Sequence, residues 1–208
     1  MPSADMILSG LTSIANEWWA IAVLWHAYVA ALLVAITRRR ARSPRLVGML
    51  LVLPLLSVSA LAWLAHNPFN GALCAAVSLA LLTIARGLPN EPLAIAAWPS
   101  LLAGGALVAF GWTYPHFLET THWGLYLVAA PLGLVPCPTL SALIGLTLIV
   151  SGFRSTAWNV TLAGAAVLYG AIGVFRLAVT MDIALFTGAA ALVAAVALRR
   201  GSLQPFDA

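Results

Sequence analysis

Long apolar runs broken by short polar strings fill nearly the whole chain, and most approach the roughly 20 residues a helix needs to cross a bilayer. The first run predicts a span from about Glu17 to Ile36, followed by Arg38, Arg39, Arg40, Arg42 and Arg45. A second, about Leu46 to Ala65, ends in the turn His66-Asn67-Pro68-Phe69-Asn70. A third, about Gly71 to Ala85, stops at Arg86 and the breaker string Gly87-Leu88-Pro89-Asn90-Glu91-Pro92. A fourth, about Leu93 to Phe110, leads into the longest loop, Gly111 to Trp123.

From Gly124 to Phe153 the pattern is apolar but broken by Pro131, Pro136 and Pro138, each of which removes a backbone donor. The part up to Val135 is too short to cross, so it reads as a re-entrant or interfacial segment on the outer side, with a fifth span from about Thr139 to Phe153. Spans from about Ala157 to Phe175 and Ile183 to Leu198 complete the pattern. The expected fold is an all-α, polytopic transmembrane helix bundle over residues 1–208, a single domain of about seven spans. A six-span variant that merges the last two runs also fits.

Charge sets the orientation. All ten basic residues are arginines, and with seven crossings and the N-terminus outside, nine of the ten fall on the cytoplasmic side. Trp18, Trp19, Trp63, Trp112 and Trp123 then form an outer aromatic belt, with Trp158 an anchor at the inner face. No positive region precedes the first run, so a cleaved signal is not expected.

Composition narrows the classes. The chain of 208 residues is 62% hydrophobic and 8% charged, where a soluble domain carries about a quarter charged residues. Its mean hydropathy is +1.01 and its pI about 9.7, yet the arginines sit in short clusters and form no broad basic face, which argues against nucleic acid as a partner. The absence of lysine removes Schiff-base and phosphate-loop chemistry. Two cysteines make no disulfide framework. Small residues at four-residue spacing (Ala166 with Gly170, Ala184 with Gly188, Ala190 with Ala194) allow close helix approach within the bundle.

The polar residues gather at the outer ends. His66, His116, His122, Glu119 and Asp182 lie there, with Cys137 at the start of the fifth span and Cys74 a turn inside the third. Cys137, His116, His122, His66 and Tyr114 are the candidate ligand-binding residues, and Cys137, Cys74 and His122 the candidate soft-metal ligands. The opposing reading is a set of loop residues around a buried thiol. His26 reads as a hydrogen-bonded helix histidine, and Arg176 as snorkelling outward or pairing with Asp182. In Pro136-Cys137-Pro138-Thr139 a thiol stands at a rigid kink, with Thr139 placed to cap the following helix.

His66-Asn67-Pro68, Tyr114-Pro115, His122 and Pro136-Cys137-Pro138-Thr139, followed by an apolar run with Gly145, occur in an order that resembles a bacterial family of multi-spanning membrane proteins, the domain of unknown function six-zero-six-four. Ser141 and Ala142 stand where that family usually shows an aromatic residue. The resemblance implies a helical bundle in a bacterial inner membrane and supplies no activity.

Three functions compete: an outward-facing transporter or binding protein for a small solute or soft metal ion, a non-catalytic structural or accessory subunit of a larger membrane complex, and a redox enzyme using Cys137 and Cys74. No catalytic acid–base pair, phosphate loop or His-Glu-x-x-His string supports an enzyme. The polar residues beside the re-entrant segment favour the first. The partners expected are the lipid bilayer and other membrane subunits. No cofactor is indicated.

Overall fold

In a computed structural model, residues 3–38, 43–89 and 91–201 are described, and among them every regular element is helical. The helices are α1 (Ala4–Glu17), α2 (Trp19–Thr37), α3 (Pro44–Leu64), α4 (Pro68–Arg86), α5 (Trp98–Thr113), α6 (Tyr126–Ala129), α7 (Pro136–Ile149), α8 (Thr156–Ala171) and α9 (Ile183–Gly201). α8 runs on into a π-helical turn, Ile172–Arg176, and a 3-10 turn, Thr180–Asp182, leads into α9. Among the described residues five stretches are long and apolar enough to span a membrane: Trp19–Thr37, Pro44–Leu64, Pro68–Arg86, Thr156–Arg176 and Thr180–Arg199. The protein is a helical membrane protein.

Its surface shows which solvent it expects. Leu24, Leu79 and Phe175 are 68%, 66% and 81% exposed, while His26, Ser78, Thr139, Ser141, Thr147, Asn159 and Asp182 are buried. Large apolar side chains outside and polar ones inside suit lipid, where a polar group must find its partner within the bundle.

α7 is the central helix. Every residue from Pro138 to Val150 is buried, because α5, α3, α8 and α9 all pack against it. α5 crosses it antiparallel at backbone contact: a Cβ on Gly104 would stand 2.6 Å from the Gly145 carbonyl oxygen, and one on Gly111 would meet the Pro138 oxygen. Only glycine fits such an approach, and Ser141 Oγ uses it to donate to Leu107 O at 2.9 Å.

Several boundaries differ from the sequence reading. The first span divides at Trp18, and a separate α1 precedes it. Ile7, Leu8, Leu11, Ile14 and Ala15 recur at helical spacing on one face, and Ser9, Thr12, Ser13 and Asn16 interrupt the apolar run without interrupting the helix. α5 begins at Trp98, five residues after the expected Leu93; the stretch before it is not helical, and Ala96 N–H donates to Ile149 O at 2.9 Å. α7 begins at Pro136, three residues before the expected Thr139, because the prolines occupy its first turn, where no amide donor is required. Thr139 therefore caps nothing; its Oγ1 accepts from Gly133 N–H (2.8 Å) and donates to Val135 O (2.7 Å). α7 stops at Ile149, not Phe153, since Ser151, Gly152, Phe153 and Arg154 all have positive φ and Asn159 Nδ2 binds Gly152 O at 2.8 Å. α8 and α9 are separate antiparallel helices and do not merge. Trp158 is fully buried, donating to Thr147 Oγ1 at 3.1 Å, so it is a core residue and no interfacial anchor.

The two ends of the bundle differ in character. At one, Arg45 Nε donates to Leu88 O (2.6 Å) and Arg199 to Ser151 O (3.4 Å), near Arg86 and Arg154. At the other meet the starts of α4, α7 and α9 and the ends of α5 and α8. α1 lies over this end: Leu11, Ile14 and Ala15 share an apolar cluster with Tyr114, Phe117, Leu134, Val135, Leu177 and Val179. Arg39, Arg40 and Arg42, part of the orienting arginine cluster, fall outside the described residues.

Candidate functional site

The centre of the site under α1 is Asp182. Its carboxyl is 1% exposed and accepts two hydrogen bonds, from Tyr114 Oη to Oδ1 at 2.6 Å and from Cys137 Sγ to Oδ2 at 3.1 Å. Three local features bring these groups together. The 3-10 turn ahead of α9 directs Asp182 inward, its amide tied to Val179 O. Pro136 and Pro138 start α7 abruptly and hold Cys137 in its first turn. Gly173, in the π-helical turn, leaves its Cβ space to the Asp182 carboxyl, which would collide with any side chain there. A π-helical turn inside an otherwise regular helix frequently marks a functional position.

A second pair adjoins the first. Cys74 Sγ and Tyr169 Oη lie 3.1 Å apart, both buried. One helical turn further along α4, the fully buried Ser78 hydroxyl has no hydrogen-bond partner among the described residues. Aromatic rings roof the first pair: Tyr114 stacks with Phe117 (centroids 6.2 Å) and meets Phe110 edge-on (5.5 Å), and His116 packs on Phe117 (4.3 Å). Tyr114 lies beyond the end of α5. Burial first, and then the neighbouring Cys137 and Asp182, push its phenol well above the ordinary range, so it remains a proton donor.

α1 fastens the roof. Asn16 Nδ2 donates to Phe117 O (2.9 Å) and its Oδ1 accepts from Glu119 N–H (2.9 Å), while Tyr126 Oη donates to Leu118 O (2.8 Å).

Of the residues singled out by sequence, Cys137 and Tyr114 are joined through Asp182, and His116 stands beside Tyr114, ring centroids 6.4 Å apart. His66 is exposed in the turn between α3 and α4 with φ of 55°, and His122 is exposed in the loop, its N–H bonded to Thr120 Oγ1. Cys74 faces Tyr169. Among the described residues no three His, Cys, Asp or Glu side chains form a group that could hold a metal ion. His26 does behave as a structural helix histidine: Nδ1 is 2.7 Å from Ala22 O and Nε2 2.9 Å from Trp112 O, two acceptors of which a neutral ring satisfies one at a time.

Sequence reasoning placed Asp182 at the outer surface and passed over Tyr169. A signal existed for Asp182: an acidic residue six positions after an arginine, at the edge of an apolar span, is rare enough to count as a functional candidate. Tyr169 gave none beyond being a hydroxyl within a span.

Comparison with family models, with curated proteins and with solved structures returned no match.

Proposed function

We propose that this protein binds a small polar solute at the Asp182–Tyr114–Cys137 cluster and admits it from the non-cytoplasmic side of a bacterial inner membrane, as a transporter or binding protein. The observation that carries this reading is the buried Asp182 carboxyl, bonded to two proton donors beneath a separate amphipathic helix. A carboxyl inside an apolar bundle is costly to keep, and such groups mark solute and ion pathways. A carboxyl flanked by a phenol and a thiol suits a cationic or hydrogen-bond-donating solute.

The reading uses seven crossings, by α2, α3, α4, α5, α7, α8 and α9, with α1 outside and the C-terminus cytoplasmic. Alternating helix directions support it, and so does the placement of Arg38, Arg45, Arg86, Arg154 and Arg199 at the end opposite the cluster. A re-entrant path between Trp123 and Val135, entered from the outer side, is supported by the short 3-10 turn, the four-residue α6 and a bend whose Leu132 and Leu134 are buried. A reporter enzyme fused after Arg200 should read as cytoplasmic and one inserted between Thr120 and Thr121 as external; the reverse pattern would overturn the orientation.

The site itself is tested through Cys137. In a Cys74→Ala background, a membrane-impermeant maleimide should label Cys137 from the outside of spheroplasts, at a rate limited by opening of α1. A panel of amines, amino acids and monovalent cations should contain at least one compound that slows labelling, and Asp182→Asn should remove that protection. An unlabelled Cys137, or protection by none of the panel, would shift the reading to a non-catalytic accessory subunit.

A further inference from the structure

We propose that Asp182 is a proton-binding site: the carboxyl holds a proton while the roof is closed and releases it when α1 and the loop at Phe117–Glu119 move away. This rests on the solute-site reading, and it names the proton as the ligand that occupies the site when no solute does.

The argument is one of space and charge. Gly173 backs directly against Oδ2, Gly170 lies behind the Asp182 backbone, Tyr114 Oη touches Oδ1 and Cys137 Sγ touches Oδ2. A carboxyl enclosed so closely has room for no ligand larger than a proton until something moves. The Tyr114 hydroxyl and Cys137 thiol that touch it are neutral, and a bare carboxylate in a side chain this buried is far costlier in such surroundings than the neutral acid. The contacts suit either state. As an acid the carboxyl donates to Tyr114 Oη or Cys137 Sγ; as a carboxylate it accepts from both.

The titratable and charged groups around it come from several elements. Tyr114 follows α5, His116 lies in the loop beyond, and Cys137 opens α7. Cys74 of α4 and Tyr169 of α8 stand behind Cys137, and Arg176 ends the π-helical turn, exposed. Asn16, which pins the roof through Phe117 O and Glu119 N–H, is uncharged. The step is a simple ionisation: the O–H bond of Asp182 breaks, the proton passes to water entering under α1, and the electron pair stays on the carboxylate. That carboxylate then faces the entering solute, and return of the proton restores the closed state. The outcome is exchange of a proton for a cationic solute at one carboxyl.

Infrared spectroscopy of the full chain in lipid nanodiscs tests this directly. The wild type should show the carbonyl stretch of a protonated carboxylic acid at neutral pH, shifted in D2O and absent from Asp182→Asn. The chain has only two thiols, so the S–H stretching region holds only Cys74 and Cys137. As pH rises, the Cys137 S–H band should move to the frequency of a stronger hydrogen bond as its acceptor becomes charged, leaving the Cys74 band in place. Tyr114→Phe removes a donor that favours the carboxylate, so the acid band should persist to a pH about one to two units higher. This variant keeps the experiment decisive if Asp182→Asn fails to fold. Absence of the acid band at neutral pH, or a titration unmoved by Tyr114→Phe, would overturn the proton site. Loss of solute protection in the maleimide assay bears on the solute alone: the acid band can stand without it.

Discussion

Alanine at Gly104 should destabilise the bundle by about 3 kcal/mol, while alanine at the adjacent Gly105 should leave it unchanged or stabilise it by up to about 1 kcal/mol. The two substitutions add the same methyl to the same helix and bring the same gain in helix propensity. They differ in what the methyl meets. At Gly104 it would stand 2.6 Å from Gly145 O, 2.9 Å from Ile149 Cγ1 and 3.2 Å from Ile149 N, and a backbone atom of a fully buried helix cannot rotate aside. At Gly105 nothing lies within 4 Å. Overpacking of a dense interior outweighs the propensity gain, so the pair should move in opposite directions in thermal denaturation in detergent or in unfolding by a denaturing detergent. Equal stabilities for the two variants would mean that α5 and α7 do not cross at backbone contact. Gly145→Ala, which would meet Gly104 O, Val108 N and Val108 Cγ2, should behave as Gly104→Ala does.

Gly173→Ala should have the largest effect on the site, because the new methyl takes the position of Asp182 Oδ2 and also crowds its Cγ (2.7 Å) and Cβ (2.8 Å). The carboxyl must swing away. Tyr114 Oη and Cys137 Sγ then lose their acceptor while still buried, and each unsatisfied group costs about 1–3 kcal/mol. A total loss near 3 kcal/mol is expected, together with faster maleimide labelling of Cys137 and a Cys137 S–H band moved to the frequency of a free thiol. Gly164→Ala on α8 is the control: nothing lies within 4 Å of its Cβ position, so it should be neutral or slightly stabilising. If Gly173→Ala matched Gly164→Ala in stability and in labelling rate, Asp182 would not be seated against the π-helical turn.

The sequence showed its solvent and its punctuation, for reasons that lie in single residues. Runs such as Trp19–Thr37 and Pro44–Leu64 need no partner to be recognised, since hydropathy and length are properties of the run itself. Prolines broke the chain between Gly124 and Thr139 as expected, because a missing amide donor acts locally. Ends were less legible. Thr139 looked like a cap, yet the helix starts at Pro136, since a first turn tolerates prolines and the observed hydrogen bonds of Thr139 run back to Gly133 and Val135.

By itself, then, the sequence determined that this chain lives in lipid as a set of apolar helices and that Cys137 opens one of them at a proline break; its arginine pattern oriented the expectation. Only the tertiary structure decided which polar groups meet. Asp182 binds Tyr114, 68 residues away, and Cys137, 45 residues away, and the sequence had left it at the surface. In a soluble helix the polar face would have marked the outward side, but a helix apolar all round carries no such mark. α1 is the exception, its one-sided apolar spacing being visible in hindsight, and what it covers still depended on where α5, α7 and α9 converge. Gly173 makes the same point from the backbone: its role follows from a carboxyl nine positions along that the fold turns back onto it.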